Sequence, residues 1–363
     1  MKIAMMLPVP NDASSMARGA MPLAMLARMM TAAGQPIELV TREAWSWSDL
    51  CQCDVAFIQR PYLPDHLKLA RMANHLGIPL WIDYDDALDA LPSSNPIWSI
   101  KFAADAAAHF NACCQMADLI SVSTERLVER ITELLSNTGR LREGKVCLLP
   151  NAWNDYLMPF MDVKKLPRNK YVTWRGSATH DEDLVPVLPE LVKLAEDEAL
   201  KDWKFIFLGG VPWEVRKAMP VERTIFSTDD WKGYFEFMND WAGVCPAIHI
   251  APLADHEFNQ CKSNLAWIEA TGCGAVTLAP NMREFRKPGV TLYDTAAHFG
   301  ESLKALMLME DDARLYLLNS SRECIRGGLL LSTVNQVRAG IVKRLLRMKP
   351  CVSKFAQSAT LQQ

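Results

Sequence analysis

The sequence predicts an α/β protein built from two doubly wound domains. Apolar runs of strand length alternate with helix-length segments along most of the chain, a rhythm typical of parallel sheets covered by helices. The 363 residues are too many for one average domain. They suit two domains of about 150 to 200 residues each. No internal repeat, heptad run or low-complexity block interrupts this pattern.

The first domain is predicted to span residues 1–155. Each of its strands is a short apolar run ended by a turn-forming or polar residue, and Gly34 and Gly77 close two of the helices. The predicted strands are 2–7, 37–41, 55–59, 79–82, 118–122 and 145–149, and the predicted helices end near 34 or span 65–76 and 98–116.

The second domain is predicted to span residues 165–335, after a linker marked by Pro159, Pro167 and mixed charges. Its predicted strands are 171–174, 204–208, 247–253 and 275–279, with short helices at 262–271 and 281–285 and further helices over 296–347. The final residues, 349–363, are predicted to be a disordered tail.

Composition narrows the class of protein. With 50% apolar and 22% charged residues, the chain is typical of soluble globular proteins, and a net charge of -3 argues against broad nucleic-acid binding. The ten cysteines lack zinc spacing, which favours reduced thiols in the cytoplasm. The first apolar run ends at Pro8, too early for a signal peptide, and no other run reaches the length of a membrane span.

The strongest functional pattern lies in the predicted helix 262–271. Lys262 and Ser263 stand at its start, where free backbone amides and the helix dipole favour an anion such as phosphate. Glu269 follows seven residues later, about 10 Å along the same helix face at the standard rise. That spacing suits a diphosphate and a ribose, although a surface helix with a solvated Lys and Glu gives the same pattern.

The segment 259–276, from Asn259 to Val276, resembles the donor-binding segment of retaining glycosyltransferases of the GT-B architecture, the family 4-like or group 1 enzymes. The resemblance implies two Rossmann-like domains that face each other across a cleft. It also implies that Glu269 holds the nucleotide ribose, that Lys262 holds the diphosphate and that a last helix, 336–348, crosses back to the first domain. Common members carry a second glutamate where this chain has Cys261, so the resemblance is to a divergent branch.

Further donor-binding residues follow from the same resemblance. The loop after the strand 171–174 resembles the first donor-phosphate loop, in which Gly176 lets the backbone approach a ligand and Ser177 offers a hydroxyl. The turn at Gly209 and Gly210 corresponds to the place where the nucleotide base packs in the resembled family. Trp213 follows this turn and is interpreted as a core residue rather than one that stacks on the base. The complete predicted donor set is Arg175, Gly176, Ser177, His180, Gly209, Lys262, Ser263, Asn264 and Glu269.

Three aspartates end the fourth predicted strand, at Asp83, Asp85 and Asp86. Spaced carboxylates suit Mg²⁺, and an apolar strand ending in Asp-x-Asp is also found in haloacid-dehalogenase-type phosphatases, although Ala87 departs from that motif. In the GT-B resemblance, Asp85 takes the place of a histidine beside the reacting sugar. Helix capping is the structural alternative for Asp83 and Asp86.

Two other positions are expected at the same edge of the first sheet. Arg60, after the third strand, could answer the aspartates in a structural ion pair. The loop after the first strand lies between the domains in the resembled family, which implies that Ser14, Ser15 and Arg18 line the cleft beside Asp83 and Asp86. Thr124 is predicted to cap the helix that follows the strand 118–122.

The leading functional hypothesis is a retaining transferase that moves a sugar from a UDP- or GDP-sugar to an acceptor, with Asp85, Lys262 and Glu269 as its principal catalytic residues. No metal is required, because a cation and a helix dipole can stabilise the leaving diphosphate, although the aspartates keep Mg²⁺ as an alternative. The alternatives are a GT-B-shaped binding or scaffold protein without turnover, motivated by Cys261 and Asp85, and a phosphatase that depends on Asp83.

The acceptor stays open. Acceptors of the resembled fold include glycans, lipids, small molecules, proteins and modified bases of bacteriophage DNA. The acidic chain argues weakly against DNA, whereas the basic stretch from Arg338 to Lys349 keeps it as an alternative. Enzymes of this class often meet lipid acceptors through one face, so peripheral membrane contact is a further alternative.

Overall fold

A computed structural model describes residues 1–8, 12–93, 95, 98, 102–162, 169–176, 180–227 and 233–348 of the chain. The predicted tail, 349–363, and the predicted donor residue Ser177 lie outside the described residues.

The first domain contains a six-stranded parallel sheet with the order β2-β1-β3-β4-β5-β6. Helices alternate with its strands and cover both faces, as all-parallel sheets require. The strands are β1 (Lys2–Met6), β2 (Glu38–Val40), β3 (Val55–Gln59), β4 (Leu80–Tyr84), β5 (Leu119–Val122) and β6 (Val146–Leu148). The helices are α1 (Met21–Ala32), α2 (Trp47–Cys51), α3 (Pro64–His75), α4 (Phe102–Met116) and α5 (Glu125–Asn137), with a π-helical segment Ser15–Ala20 before α1.

The second domain repeats this plan with the sheet order β12-β11-β10-β7-β8-β9, again all parallel. Its strands are β7 (Asn169–Gly176), β8 (Lys204–Gly209), β9 (Thr224–Phe226), β10 (Pro246–Ile250), β11 (Val276–Pro280) and β12 (Val290–Tyr293). Its helices are α6 (Asp181–Leu184), α7 (Leu188–Glu196), α8 (Trp213–Ala218), α9 (Tyr234–Val244), α10 (Glu257–Gln260), α11 (Leu265–Gly272), α12 (Ala296–Leu308) and α13 (Asp311–Arg326).

The central strands form because their residues are apolar on both faces of the sheet. In β3 and β4, Ile58 and Ile82 point into the core on one face. Phe57 and Trp81 fill the other face, with ring centroids 4.9 Å apart in an edge-to-face contact. Consecutive residues of a strand point to opposite faces of the sheet, and both faces are buried here, so each strand is a continuous apolar run. Such runs predicted these strands to within about two residues.

The order of the strands places the site. In the first sheet, β2 is added on one side of β1 and β3 on its other side. In the second sheet, β8 is added on one side of β7 and β10 on its other side. Loops that leave the carboxyl ends of two such strands diverge and open a crevice, where open α/β sheets bind ligands. Each domain therefore has one crevice, at the loops after β1 and β3 and at the loops after β7 and β10.

The chain crosses between the domains at two adjacent places. Trp153 pairs with Leu330 in an isolated parallel bridge, in which the Trp153 amide donates to the carbonyl of Leu329 at 2.8 Å. The last helix, α14 (Leu331–Met348), then returns to the first domain, where its Val342 and Leu345 join the core of the first sheet. The return predicted from the family resemblance is present, but the helix begins at Leu331 rather than at residue 336.

Some elements differ from the sequence prediction. The strands β9 and β12 and the helix α9 carry no strong local pattern and were not predicted. Trp213, interpreted as a core residue, is 72% exposed at the start of α8. It follows the turn at Gly209 and Gly210, and its ring is exposed to solvent instead of packed in the core.

Candidate functional site in the interdomain cleft

The loop before α11 differs from the sequence prediction in a way that matters for the site. The helix α11 begins at Leu265 with Asn264 as its N-cap, not at residue 262. Lys262 lies in the loop between α10 and α11. The predicted helical spacing between Lys262 and Glu269 therefore does not apply, because Lys262 is outside the helix that carries Glu269.

Lys262 extends from this loop toward the first domain. Its Nζ lies 4.6 Å from the centroid of the Phe258 ring, which supports the cation from below. The same Nζ is 3.7 Å from Oδ1 of Asp86, a residue of the loop after β4. The Lys262 side chain is 14% exposed. The lysine thus bridges the cleft while keeping access to solvent.

Glu269 is held by two partners that belong to its own domain. Its carboxylate pairs with the guanidinium of Arg175, at the end of β7, and its Oε1 accepts a hydrogen bond from the hydroxyl of Tyr234 at 2.7 Å. Glu269 is 1% exposed. Burial and the neighbouring Glu269 raise the pKa of Tyr234, so this hydroxyl stays protonated and donates. Tyr234 was not predicted as a site residue, because it lies on the helix α9, which was not predicted.

Two glycines form the bare edge of this crevice. Gly176 and Gly209 are register partners at the ends of β7 and β8, and the Gly210 amide donates to the Gly176 carbonyl at 3.0 Å. Gly209 has a φ of +96°, which side chains rarely adopt. A Cβ at Gly176 would lie 2.5 Å from the ring of Trp174. Both positions therefore favour glycine; Gly176 is partly exposed, whereas Gly209 is buried at the end of β8.

His180 stands next to these glycines and is fixed by Asp183. Nδ1 of His180 lies 2.7 Å from Oδ2 of Asp183, whose other oxygen accepts from the Ala254 amide at 2.9 Å and from Asn259 at 2.6 Å. Burial and the nearby Lys262 lower the pKa of His180. The ring is therefore a neutral hydrogen-bonding group rather than an added charge.

The remaining predicted donor residues of the loop have structural partners. The Ser263 hydroxyl accepts from Nδ2 of Asn151 at 2.6 Å, and Nδ2 of Asn264 donates to the Glu284 carbonyl at 3.0 Å. Asn264 is 6% exposed. The side chain of Asn264 therefore fastens the loop instead of lining the cleft, and Asn151, which was not predicted as a site residue, ties the loop to the interdomain crossing.

On the first domain, Asp85 lies in the crevice at the end of β4. Its Oδ2 accepts from the hydroxyl of Ser14, which in turn accepts from Nε2 of Gln59 at 3.0 Å. The other oxygen, Oδ1, is buried and has no hydrogen-bond partner within the described part of the chain. Burial and the adjacent Asp86 raise the pKa of Asp85. This carboxyl keeps one oxygen available for a hydroxyl group.

Arg60 neutralises the other carboxylates of this crevice. Its Nη1 lies 3.6 Å from Asp86, and its Nη2 donates to Asp12 at 3.0 Å, as the expected ion pair requires. Arg60 has a φ of +45° and precedes Pro61. A non-glycine residue in this region costs about 1 kcal/mol, so the surrounding structure holds the arginine in a strained conformation that directs it at the carboxylates.

Three residues predicted to line the cleft lie beneath it instead. Ser15 and Asp83 are 0% and 1% exposed, and Arg18 is 1% exposed. Arg18 donates from Nε and Nη2 to the two oxygens of Asp83 at 2.8 and 2.6 Å. Its Nη1 donates to the carbonyl of Leu149 at 2.6 Å. The charges of this pair are satisfied within the protein, so it supports the cleft without facing it.

The same burial bears on the metal and phosphatase alternatives. A phosphoaspartate mechanism needs an accessible nucleophile, whereas Asp83 is buried and bonded to both Arg18 and Ser121. Across the described ranges, no group of three or more His, Cys, Asp or Glu side chains is arranged to hold a metal ion. The phosphatase interpretation of Asp83 therefore has no support in the geometry.

Cys261, the departure from the common family pattern, belongs to the core of the other domain. Its side chain is 0% exposed and packs in the cluster beneath β4 and β5. Its carbonyl accepts from the hydroxyl of Thr124 at 3.0 Å, and Thr124 also caps α5 as predicted. Burial raises the pKa of Cys261 to about 12, so the thiol is inert. Cys261 therefore packs against protein, at the position where common members of the resembled family carry a glutamate.

The basic stretch at the carboxyl end is only partly a surface. Arg338 is 1% exposed and donates to Asn335, while Arg344 donates to the carbonyls of Glu143 and Gly144. Lys349 lies outside the described residues. Within the part of the chain that the structure describes, no helix is both long enough and apolar enough to cross a bilayer.

Comparison with known proteins identifies the fold. No protein-family model matches the sequence, and a sequence search of the curated proteins finds no match. A glycosyltransferase from Rickettsia africae ESF-5 superposes with a TM-score of 0.67 at 11% identity, covering 95% of this chain and 98% of that one.

Two further solved structures are similar. An alpha-glucosyltransferase in complex with UDP and DNA containing an HMU base has a TM-score of 0.61 at 11% identity, covering 94% of this chain and 99% of that one. The UDP-forming α,α-trehalose-phosphate synthase of Burkholderia vietnamiensis has a TM-score of 0.57 at 14% identity, covering 88% and 77%. The chain therefore has the GT-B fold, and the architecture predicted from its sequence is confirmed.

Proposed function

We propose that the protein is a glycosyltransferase that moves a sugar from a nucleotide diphosphate sugar to an acceptor hydroxyl in the interdomain cleft. One observation carries the proposal. Arg175, at the end of β7, and Lys262, in the loop between α10 and α11, lie near the switch point of the second sheet, where Gly176 is partly exposed. Two cations and the backbone amides at the start of α11 are groups that would bind a diphosphate.

The chemistry follows from these groups. When the bond between the anomeric carbon and the diphosphate breaks, negative charge grows on the leaving oxygen, and Lys262 with Arg175 would stabilise it. Glu269 would receive the ribose hydroxyls, since a carboxylate oxygen accepts more than one hydrogen bond. UDP is the favoured nucleotide, because several structural neighbours contain it.

The first domain would supply the acceptor side. Asp85 has one buried oxygen without a partner, and a sugar or acceptor hydroxyl is a fitting donor to it. Retention of anomeric configuration rests on the resemblance of the segment 259–276 to retaining enzymes. The anomeric coupling constant in the product spectrum tests it, and an inverted product would refute retention while leaving sugar transfer intact.

A thermal-shift screen against nucleotide diphosphates and their sugars tests the donor assignment. A ligand at one hundred times its dissociation constant stabilises the folded state by about 2.7 kcal/mol. We expect UDP or its sugars to stabilise the wild type and the shift to disappear in Lys262→Ala and Glu269→Ala. Lys193→Ala is the matched control, because this lysine is 68% exposed on α7 and pairs with Glu190 on the same helix. No shift with any nucleotide would refute the proposal.

A scaffold without turnover is the second candidate, and the closed surroundings of Glu269 favour it. Glu269 is 1% exposed, so a ribose can reach its oxygens only after a neighbouring side chain moves. Slow hydrolysis of the donor separates the two candidates, since most retaining transferases leak sugar to water. Nucleotide binding without release of free sugar over hours would favour the scaffold.

A further inference from the structure

The structure points to a specific role for Asp86, which we propose competes with the donor diphosphate for Lys262. In this role, which rests on the proposed function, Asp86 is a specificity-determining residue rather than an acceptor-binding one. It would act as an internal anion that holds the phosphate site closed to weakly charged ligands and helps to expel the nucleotide after transfer.

The geometry at Lys262 is the first support. Oδ1 of Asp86 is 3.7 Å from Nζ of Lys262, and the two side chains come from opposite domains. Asp86 is 20% exposed and Lys262 14% exposed, so an incoming anion can reach the pair. Burial opposes ionisation of Asp86, but Lys262 and Arg60 outweigh burial and lower the pKa of Asp86. A full negative charge therefore stands where a phosphate oxygen would bind.

The second cation of the donor site shows the same arrangement. Arg175 is paired with the carboxylate of Glu269. Both candidate phosphate-binding cations, Arg175 and Lys262, are thus neutralised by carboxylates of the protein. A diphosphate carries more negative charge than either carboxylate and offers more acceptor oxygens, so it can take both cations from their partners.

Asp86 is suited to leave because it has a second cation. Its Oδ2 lies 3.6 Å from Nη1 of Arg60, so displacement from Lys262 does not leave the carboxylate unpaired. Binding of a phosphate to Lys262 therefore breaks one ion pair but does not leave the Asp86 carboxylate without a cation. After transfer, the same carboxylate returns to Lys262 and competes with the departing nucleotide, which raises its rate of dissociation.

Asp86→Asn tests this role, with UDP affinity measured by calorimetry. We expect affinity to rise by roughly tenfold, because the substitution removes a negative charge within 4 Å of the cation that binds phosphate. Asp12→Asn is the matched control, since Asp12 shares Arg60 with Asp86 but, within the described part of the chain, does not form an ion pair with Lys262. Asp86→Glu keeps the charge and should keep wild-type affinity, and uridine, which has no phosphate, should bind all four proteins equally.

The outcomes are separable. Tighter UDP binding in Asp86→Asn alone supports competition. Unchanged or weaker binding in Asp86→Asn, with the wild type still binding UDP, overturns it and makes Asp86 a residue that positions Lys262. Tightening in Asp12→Asn as well would overturn it in favour of a general effect of Arg60. If neither the wild type nor Asp86→Asn binds any nucleotide, the proposed function fails along with this inference.

Discussion

The two crevices that face each other across the cleft occupy equivalent positions in equivalent sheets, yet their charges are opposite. The crevice of the first domain, the acidic half-site, contains Asp12, Asp85 and Asp86, and Arg60 pairs with two of them. The crevice of the second domain, the cationic half-site, presents Arg175 and Lys262 beside glycines. Equivalent topology fixes where a ligand can bind, and the side chains decide which ligand it is.

The two half-sites also differ in how they are supported. Beneath the acidic half-site lies the buried Arg18–Asp83 pair, whose members come from parts of the chain 65 residues apart. The cationic half-site rests on Tyr234 and Asp183, which orient Glu269 and His180. Substitutions beneath each half-site show whether these residues contribute mainly to the stability of the fold or to ligand binding.

The largest effect is expected from Asp83→Asn, which should lower the free energy of unfolding by about 3 kcal/mol or more. The substitution leaves the buried Arg18 without a counter-charge. Urea denaturation measures the loss. The control is Asp49→Asn, whose partner Arg42 is 48% exposed, so solvent screens this pair and its loss should change the free energy of unfolding far less. Equal effects of the two substitutions would show that the buried pair is not a foundation of the acidic half-site.

A smaller, functional effect is expected from Tyr234→Phe. Loss of the hydrogen bond to Glu269 should weaken UDP binding by about 1 kcal/mol, or roughly fivefold, because the carboxylate is no longer held for the ribose. Calorimetry with UDP and 2′,3′-dideoxy-UDP measures this, and only UDP should be affected. Tyr316→Phe, at a tyrosine that is 73% exposed, is the control. Equal weakening for both ligands would argue against ribose recognition by Glu269.

The smallest effect concerns the charge of His180. Because the folded pKa is lowered, the neutral ring stabilises the fold, and this contribution is lost as pH falls below the ordinary value of 6.5 and through the folded pKa. Lys262→Ala removes one cause of the lowering, so the pKa of His180 should rise. NMR titration of the ring, with the 45% exposed His298 as reference, measures the change. An unchanged pKa would show that Lys262 does not act on His180.

Most of the fold could be predicted because its strands produce patterns within short stretches of the sequence. Buried parallel strands need continuous apolar runs, and β1, β3, β8 and β11 are such runs. The helix that carries Glu269 was also predicted from sequence, although α11 begins at Leu265 and not at residue 262. Short edge strands such as β9 and β12 have too few residues to produce a pattern.

The site itself depends on contacts that no local pattern records. Arg18 and Asp83 each look like cleft residues, and only their pairing across 65 positions shows that they are buried. Cys261 lies in the second domain by sequence and in the core of the first domain by packing. Lys262 lies outside the helix because the chain turns at Asn264 to bring Cys261 into that core.

The paired crossings at Trp153 and Leu330 have a mechanical consequence. Because the two crossing segments are hydrogen-bonded to each other, we expect them to resist twisting and sliding of one domain relative to the other. Rotation about the line between the domains is the motion that they allow. Any rotation that separates the two domains at this place would withdraw Cys261 from the core of the first domain and would also separate Asp86 from Lys262. We therefore expect opening of the cleft and exposure of this thiol to occur together.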